Sequence, residues 1–364
     1  MSGPSTVSKR EQTILGIIET ARGKRAKFRD PRITMAHGAG GKATQSLIEG
    51  LFVPVLGGDA LGEMADAGTA VVDGVELAFT TDSYVVKPLR FPGGSIGELA
   101  VNGTVNDLAV SGARPLALSL SLILEEGLSA DDLRAEVNAI AQAAATAGVA
   151  IVAGDTKVVE RGHADGMYIC TSGIGQRDPR ANLSPAALRP GDRILLSGSI
   201  GEHGTAIMLA RADFELDAAI ESDTRSLWPA VDALLAAAGE DVRCIRDATR
   251  GGVASVLNEL ARASSVAMIV REGDVPVHPA VAAAAEILGI DPMYVANEGK
   301  MVAFVAPEAA DAALQALRGV SGCEQAAEIG EVRTEPPGMV LVQTSFGGRR
   351  VMDQLVGDPL PRIC

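Results

Sequence analysis

The spacing of apolar and polar residues sets out alternating strands and helices from Ile33 to Gln343. Residues 70–79 predict two strands around Asp73-Gly74, because an Asp-Gly pair supplies the positive φ of a tight hairpin. Residues 95–111 predict a helix with small residues on one side, stopped by Gly112 and Pro115, and 115–124 alternate as a strand. Ser129 caps a further helix whose first turn holds Asp131 and Asp132, where carboxylates meet the positive end of the helix dipole. Apolar runs at 149–153 and 166–174 predict two strands, the first of them buried. The stretch 178–192, with Pro179, Pro185 and Pro190, predicts a domain boundary. Beyond it the alternation repeats, with strands at 193–197, 267–271, 300–305 and 339–343. Helices are expected at 203–212, 223–238, 251–264, 280–288 and 308–317. The pattern predicts an α+β chain of two mixed α/β domains, 33–185 and 186–345, with an aperiodic tail, 346–364.

Composition narrows the function. Apolar residues make up 47% of the 364, enough for packed cores, but aromatics are only 3%, so Ala, Val, Leu and Ile must build them. A net charge of −14 argues against binding to nucleic acid, although Mg²⁺ can still bridge carboxylates to a nucleotide's phosphates. Residues 1–32 run the other way, with eight basic against three acidic side chains, and read as a basic extension with a short helix at 13–21. Cys170, Cys244, Cys323 and Cys364 are too far apart for a zinc or redox pair. The uncharged run 137–154 carries Asn138, Gln142 and Thr146 and does not read as a membrane span. A cytoplasmic enzyme is the expectation.

Several polar residues stand where chemistry is plausible. The Gly-rich stretch 37–44 is not a P-loop, since Ala36 and Ala43 occupy required positions, but its glycines let backbone N–H groups approach phosphate. Asp82, Asp107, Asp155 and Asp247 each sit beside Gly, Thr or Lys at the end of an apolar stretch or within the small-residue helix. Together they suit an oxygen-ligated Mg²⁺ carrying a nucleotide. Gly40, Gly41, Asn106, Thr156 and Arg250 are candidates to hold that nucleotide, and Lys157 to offset phosphate charge. Glu298, just before a strand, is a candidate base; His203 in a second Gly-rich turn reads as part of a helix cap. Cys364 ends the sequence and suits a swinging attachment point.

The segments 37–41, 88–97, 103–109, 154–159, 198–204, 247–252, 297–299 and 361–364 resemble a family of ATP-using enzymes. It includes aminoimidazole ribonucleotide synthetase, selenophosphate synthetase and thiamine-phosphate kinase. Within it the chain looks like the carbamoyl dehydratases of hydrogenase maturation. Ser95 and Glu202 stand where the family usually has Asp, and 1–32 has no counterpart. The resemblance implies homodimers whose N-terminal strands join in a β-barrel, with ATP and Mg²⁺ as cofactors. It implies that Cys364 receives a carbamoyl group from the carbamoyltransferase HypF, and that ATP activates this group for dehydration to a thiocyanate. The cyano group then passes to iron on the HypC–HypD complex. Glu298 would take the protons, and Asp82, Asp107, Asp155 and Asp247, helped by Lys157, would steady the phosphoryl group. Selenophosphate chemistry fits poorly, because the first cysteine is the mid-chain Cys170. The alternatives are another ATP-dependent kinase or synthetase of this fold, or a non-catalytic nucleotide-binding subunit.

Overall fold

The computed structural model describes residues 28–38, 41–56, 65–211, 220–355 and 363–364. The helix expected at 13–21 and the candidate Gly40 lie outside them.

In the N-terminal half the strands are β1 (Gly68–Val72), β2 (Val75–Tyr84), β3 (Arg90–Phe91), β4 (Gly94–Ser95), β5 (Ala113–Glu125), β6 (Ala150–Val159) and β7 (Met167–Arg177). β3 and β4 form a small hairpin, and the rest form an open sheet ordered β1-β2-β7-β5-β6. Pairing is antiparallel except between β5 and β6. The helices are α1 (Lys42–Leu47), α2 (Ile96–Val110) and α3 (Ala130–Ala147). Ser129 caps α3 by accepting from the Asp131 N–H, and Gly148 ends it at φ 70°.

The C-terminal half holds β8 (Arg193–Leu196), β9 (Val242–Asp247), β10 (Ala267–Arg271), β11 (Met301–Val305), β12 (Ala327–Arg333), β13 (Met339–Gln343) and β14 (Arg349–Met352). They form a sheet ordered β14-β13-β10-β12-β8-β11-β9, with only β10 and β13 parallel. Its helices are α4 (Glu202–Arg211), α5 (Trp228–Ala238), α6 (Gly252–Ala263), α7 (Pro279–Leu288) and α8 (Ala310–Arg318).

Three expectations need correction. The strand foreseen as buried at 149–153 is β6, which runs to Val159 and is exposed almost throughout, as the edge strand of its sheet, paired only with β5 among the described residues. The helix foreseen from 223 begins at Trp228; residues 223–227 instead run through a half-buried loop whose polar groups serve the site. The tail contains a strand, β14, paired with β13.

Helix α2 joins the halves. It is buried at every position except Glu98 and Asp107. Its N-terminal part packs on the first sheet, while Ala109 and Val110 belong to a core shared with Leu195, Leu227, Ile245 and Met301. Small residues make this closeness possible. A Cβ on Gly103 would stand 2.2 Å from the Tyr84 hydroxyl, so only glycine admits that ring. The chain end is docked as well: Ile363 is buried in the apolar cluster that holds Tyr84, Phe91, Leu99 and Ile207.

Candidate active site

A cavity of about 660 Å³ opens between the two halves. Asp82 enters it from β2, Asp107 from α2 and Asp247 from the end of β9. Glu298 and Arg250 come from loops, Gly41 caps α1 at its rim, and Cys364 reaches it from the chain end. Five of the positions expected to carry catalysis or the metal (Asp82, Asp107, Asp247, Glu298 and Cys364) therefore meet in one place, with the nucleotide candidates Arg250 and Gly41 beside them.

Asp66 lies there too and was not anticipated. Its carboxylate bonds Arg246, and its carbonyl accepts from the Thr80 hydroxyl at 2.9 Å. A readable signal existed: an Asp between alanines at the entry to the first strand, like the others beside small residues. Burial raises the pKa of Asp66, Asp82, Asp107 and Asp247, and their mutual repulsion raises Asp82, Asp107 and Asp247 further. Arg246 and Arg250 oppose this only in part. Among the described residues no three acidic, His or Cys side chains stand close enough to hold a metal unaided. The all-oxygen donor set nonetheless fits Mg²⁺ whose remaining ligands are phosphate oxygens and water. Asp107→Asn keeps the acceptor for the Thr80 hydroxyl, now 2.8 Å away, and removes one repelling charge. It is expected to raise the metal-free melting temperature by a few degrees while weakening MgATP binding at least tenfold, read by scanning calorimetry and titration.

Glu298 is held through its backbone. The N–H groups of Glu298 and Gly299 donate to the two oxygens of Asp223 at 3.0 and 3.1 Å, and Lys300 Nζ lies 3.3 Å from the same carboxylate. The side chain is buried, and its Oε1 has no hydrogen-bond partner. Burial first, then the charges of Asp223, Asp247 and Asp82, push its pKa well above the usual carboxylate range; Arg250 opposes them. A buried carboxylate with an unpartnered oxygen, on a residue that lines the cavity, is equipped to take a proton.

Two groups of candidates are placed differently. Asn106 does not face the cavity: its amide donates to the Arg225 and Glu298 carbonyls at 2.9 and 3.1 Å and accepts from the Leu227 N–H at 2.7 Å. It fixes the loop that carries Glu298. Asp155, Thr156 and Lys157 sit on the exposed β6, outside the cavity. Lys157 Nζ is 2.6 Å from Asp155, which it holds below the usual carboxylate range, and the Thr156 N–H donates to the same side chain. Arg250 donates to the Gly38 carbonyl at 2.9 Å and so ties the Gly-rich loop to the cavity.

A two-domain mixed α/β fold with an acidic cleft at the junction defines an AIR synthase related protein. The N-terminal domain of that family matches residues 64–176 and its C-terminal domain residues 189–342. The chain is 49% identical over 333 residues to "Carbamoyl dehydratase HypE" of Rhizobium leguminosarum bv. viciae, covering 92% of this chain and 95% of that one. A crystal structure of a HypE–HypF complex superposes with a TM-score of 0.81 at 43% identity, over 85% of this chain and 99% of that one. A HypE structure in complex with ATP does so at 0.77 and 44%, over 92% and 100%. The chain belongs to the HypE family of carbamoyl dehydratases.

Proposed function

We propose that this protein dehydrates an S-carbamoyl group on Cys364 to a thiocyanate at the expense of ATP, in the maturation of hydrogenase. The observation that carries this reading is the position of Cys364, which lines the same cavity as the acidic cluster and Glu298. ATP is the phosphoryl donor. Attack of the carbamoyl oxygen on the γ-phosphorus releases ADP and one N–H proton, and turns a poor leaving group into phosphate. Loss of the remaining N–H proton then expels phosphate and leaves S–C≡N, a net loss of one water. Glu298 accepts protons from nitrogen, and Arg250 faces the oxygens that gain charge. Asp66, Asp82, Asp107 and Asp247 would hold Mg²⁺, which would supply charge neutralisation for the phosphates. The cavity and the docked tail keep water from the activated intermediate. HypF is the proposed donor of the carbamoyl group, and the HypC–HypD complex the proposed acceptor of the cyano group. The test is intact-protein mass after incubation with HypF, carbamoyl phosphate and ATP: gain of a carbamoyl group, then loss of one water.

The proposal includes a homodimer. β6 offers an unpaired edge with Ile151, Val152 and Val158 exposed at 38%, 68% and 67%, and Phe79 stands 57% exposed on the uncovered sheet face. Edges and faces of this kind invite pairing. A second copy closing the sheet into a barrel would also carry Asp155, Thr156 and Lys157 toward its neighbour's cavity. Mixing Lys157→Ala with Cys364→Ala protein, each inactive alone, is then expected to restore roughly a quarter of parental activity, because half of randomly mixed dimers hold one intact site. No recovery after confirmed subunit exchange would place Lys157 and Cys364 in the same protomer's chemistry.

A further inference from the structure

We infer that His203 is a positioning residue for the tail: its ring clamps the Ile363 carbonyl and thereby holds Cys364 in the cavity. The docking is read from geometry; only its chemical consequence rests on the dehydratase reading. His203 lies in the first turn of α4 and is wholly buried. Its Nε2–H donates to the Ile363 carbonyl at 2.6 Å, across 160 positions of sequence. A carbonyl only accepts, so Nε2 carries the ring proton. Burial lowers the pKa and favours the neutral ring, opposed by the charge of Asp223, so Nδ1 is an acceptor. The Ser222 hydroxyl, 2.8 Å away, donates to it and sets the tautomer. Phe91 meets the ring edge-on at 5.5 Å and 88°, which fixes its plane.

Two more contacts contribute to the docking. The Val85 N–H donates to the Cys364 carbonyl at 3.1 Å, and the Ile363 side chain is 2% exposed. Together they set the position and direction of the last residue. Removing the His203 donor would leave a buried carbonyl without its partner, a state the tail escapes by undocking. The same ring nitrogen lies 4.0 Å from Glu298, so the clamp and the base act on one small region.

The test compares His203→Leu with His203→Gln, whose side-chain amide can place a donor near the former Nε2. The readouts are the alkylation rate of Cys364 by iodoacetamide, followed on the tail peptide, and single-turnover dehydration of carbamoylated protein with ATP. His203→Leu is expected to alkylate about tenfold faster and dehydrate about tenfold slower, with carbamoylation by HypF undiminished and His203→Gln restoring most of both losses. A folded His203→Leu protein that alkylates at the parental rate overturns the docking role. Faster alkylation with parental dehydration overturns the positioning role. A parent that is carbamoylated yet never dehydrates overturns the dehydratase reading while the alkylation result still stands. If His203→Leu does not fold, ring ¹⁵N resonances of the parent decide, the chain having only four histidines. The Nε2 proton must be protected from exchange, and deleting residues 363–364 must expose it; a ring indifferent to that deletion overturns the proposal.

Discussion

Cys364→Ala is expected to yield no thiocyanate, with ATP affinity and melting temperature close to those of the parent. The side chain is half-buried and Ile363, which anchors the chain end, is untouched, so removing one sulfur has little structural cost. No other cysteine can take over. Burial pushes the Cys244 thiol up to about 12, and it points into the core beneath β9. Burial raises Cys323 as well, within the core that packs on α5 and α8. Cys170 lies on β7, outside the cavity. Intact-protein mass with HypF, carbamoyl phosphate and ATP checks this. A cyanated product on any residue of the alanine variant would refute the assignment of Cys364.

The second large effect is at Glu298. Glu298→Gln keeps the shape of the side chain and the backbone bonds to Asp223, so the loop should hold. It removes the proton acceptor, and the loss of rate in the dehydration step is expected to be on the order of 10²- to 10⁴-fold. Carbamoylation of Cys364 and ATP binding should change little. The pH dependence has a definite sign. A base works deprotonated, and Glu298 has its pKa raised by burial and by neighbouring carboxylates. Parental dehydration should therefore rise with pH along a limb above the ordinary carboxylate range, and that limb should be absent from the glutamine variant. A variant with parental single-turnover rates would remove Glu298 from the chemistry.

Local pattern made much of the site legible. Asp82, Asp107 and Asp247 could be picked out because a charged residue at the edge of an apolar or small-residue stretch is anomalous in its own neighbourhood. Glu298 stood out as a carboxylate just before a strand, and Cys364 as a thiol at the last position. What could not be read was what distant segments do to one another. Asn106 was singled out for the right reason, a polar group on an apolar helix, yet its partners are carbonyls and an N–H more than a hundred positions away. His203 looked like a cap residue because its acceptor, the Ile363 carbonyl, lies at the other end of the chain. The run Ile151-Val152-Ala153 looked buried because its residues are apolar, but burial is a property of the layer above, and β6 is exposed almost throughout among the described residues. Asp155 was read as ending its strand, but β6 continues past it to Val159, so it stands outside this chain's own cavity. The folds of both halves were clearer than their details, since turn residues such as Asp73-Gly74 and caps such as Ser129 act within a few positions.

The interlock at α2 dictates which parts of the molecule can move. Asn106 is bonded to three backbone groups of the opposite half, and Ala109 and Val110 are packed into its core. Rotating one half away from the other would strip those bonds and expose that core, so the protein has no hinge at its waist. Whatever admits a nucleotide must give way at the periphery. There Lys42 pairs with Asp353 at 2.8 Å, and its N–H donates to the Leu355 carbonyl at 3.1 Å, which joins the helix that Gly41 caps to the segment following β14.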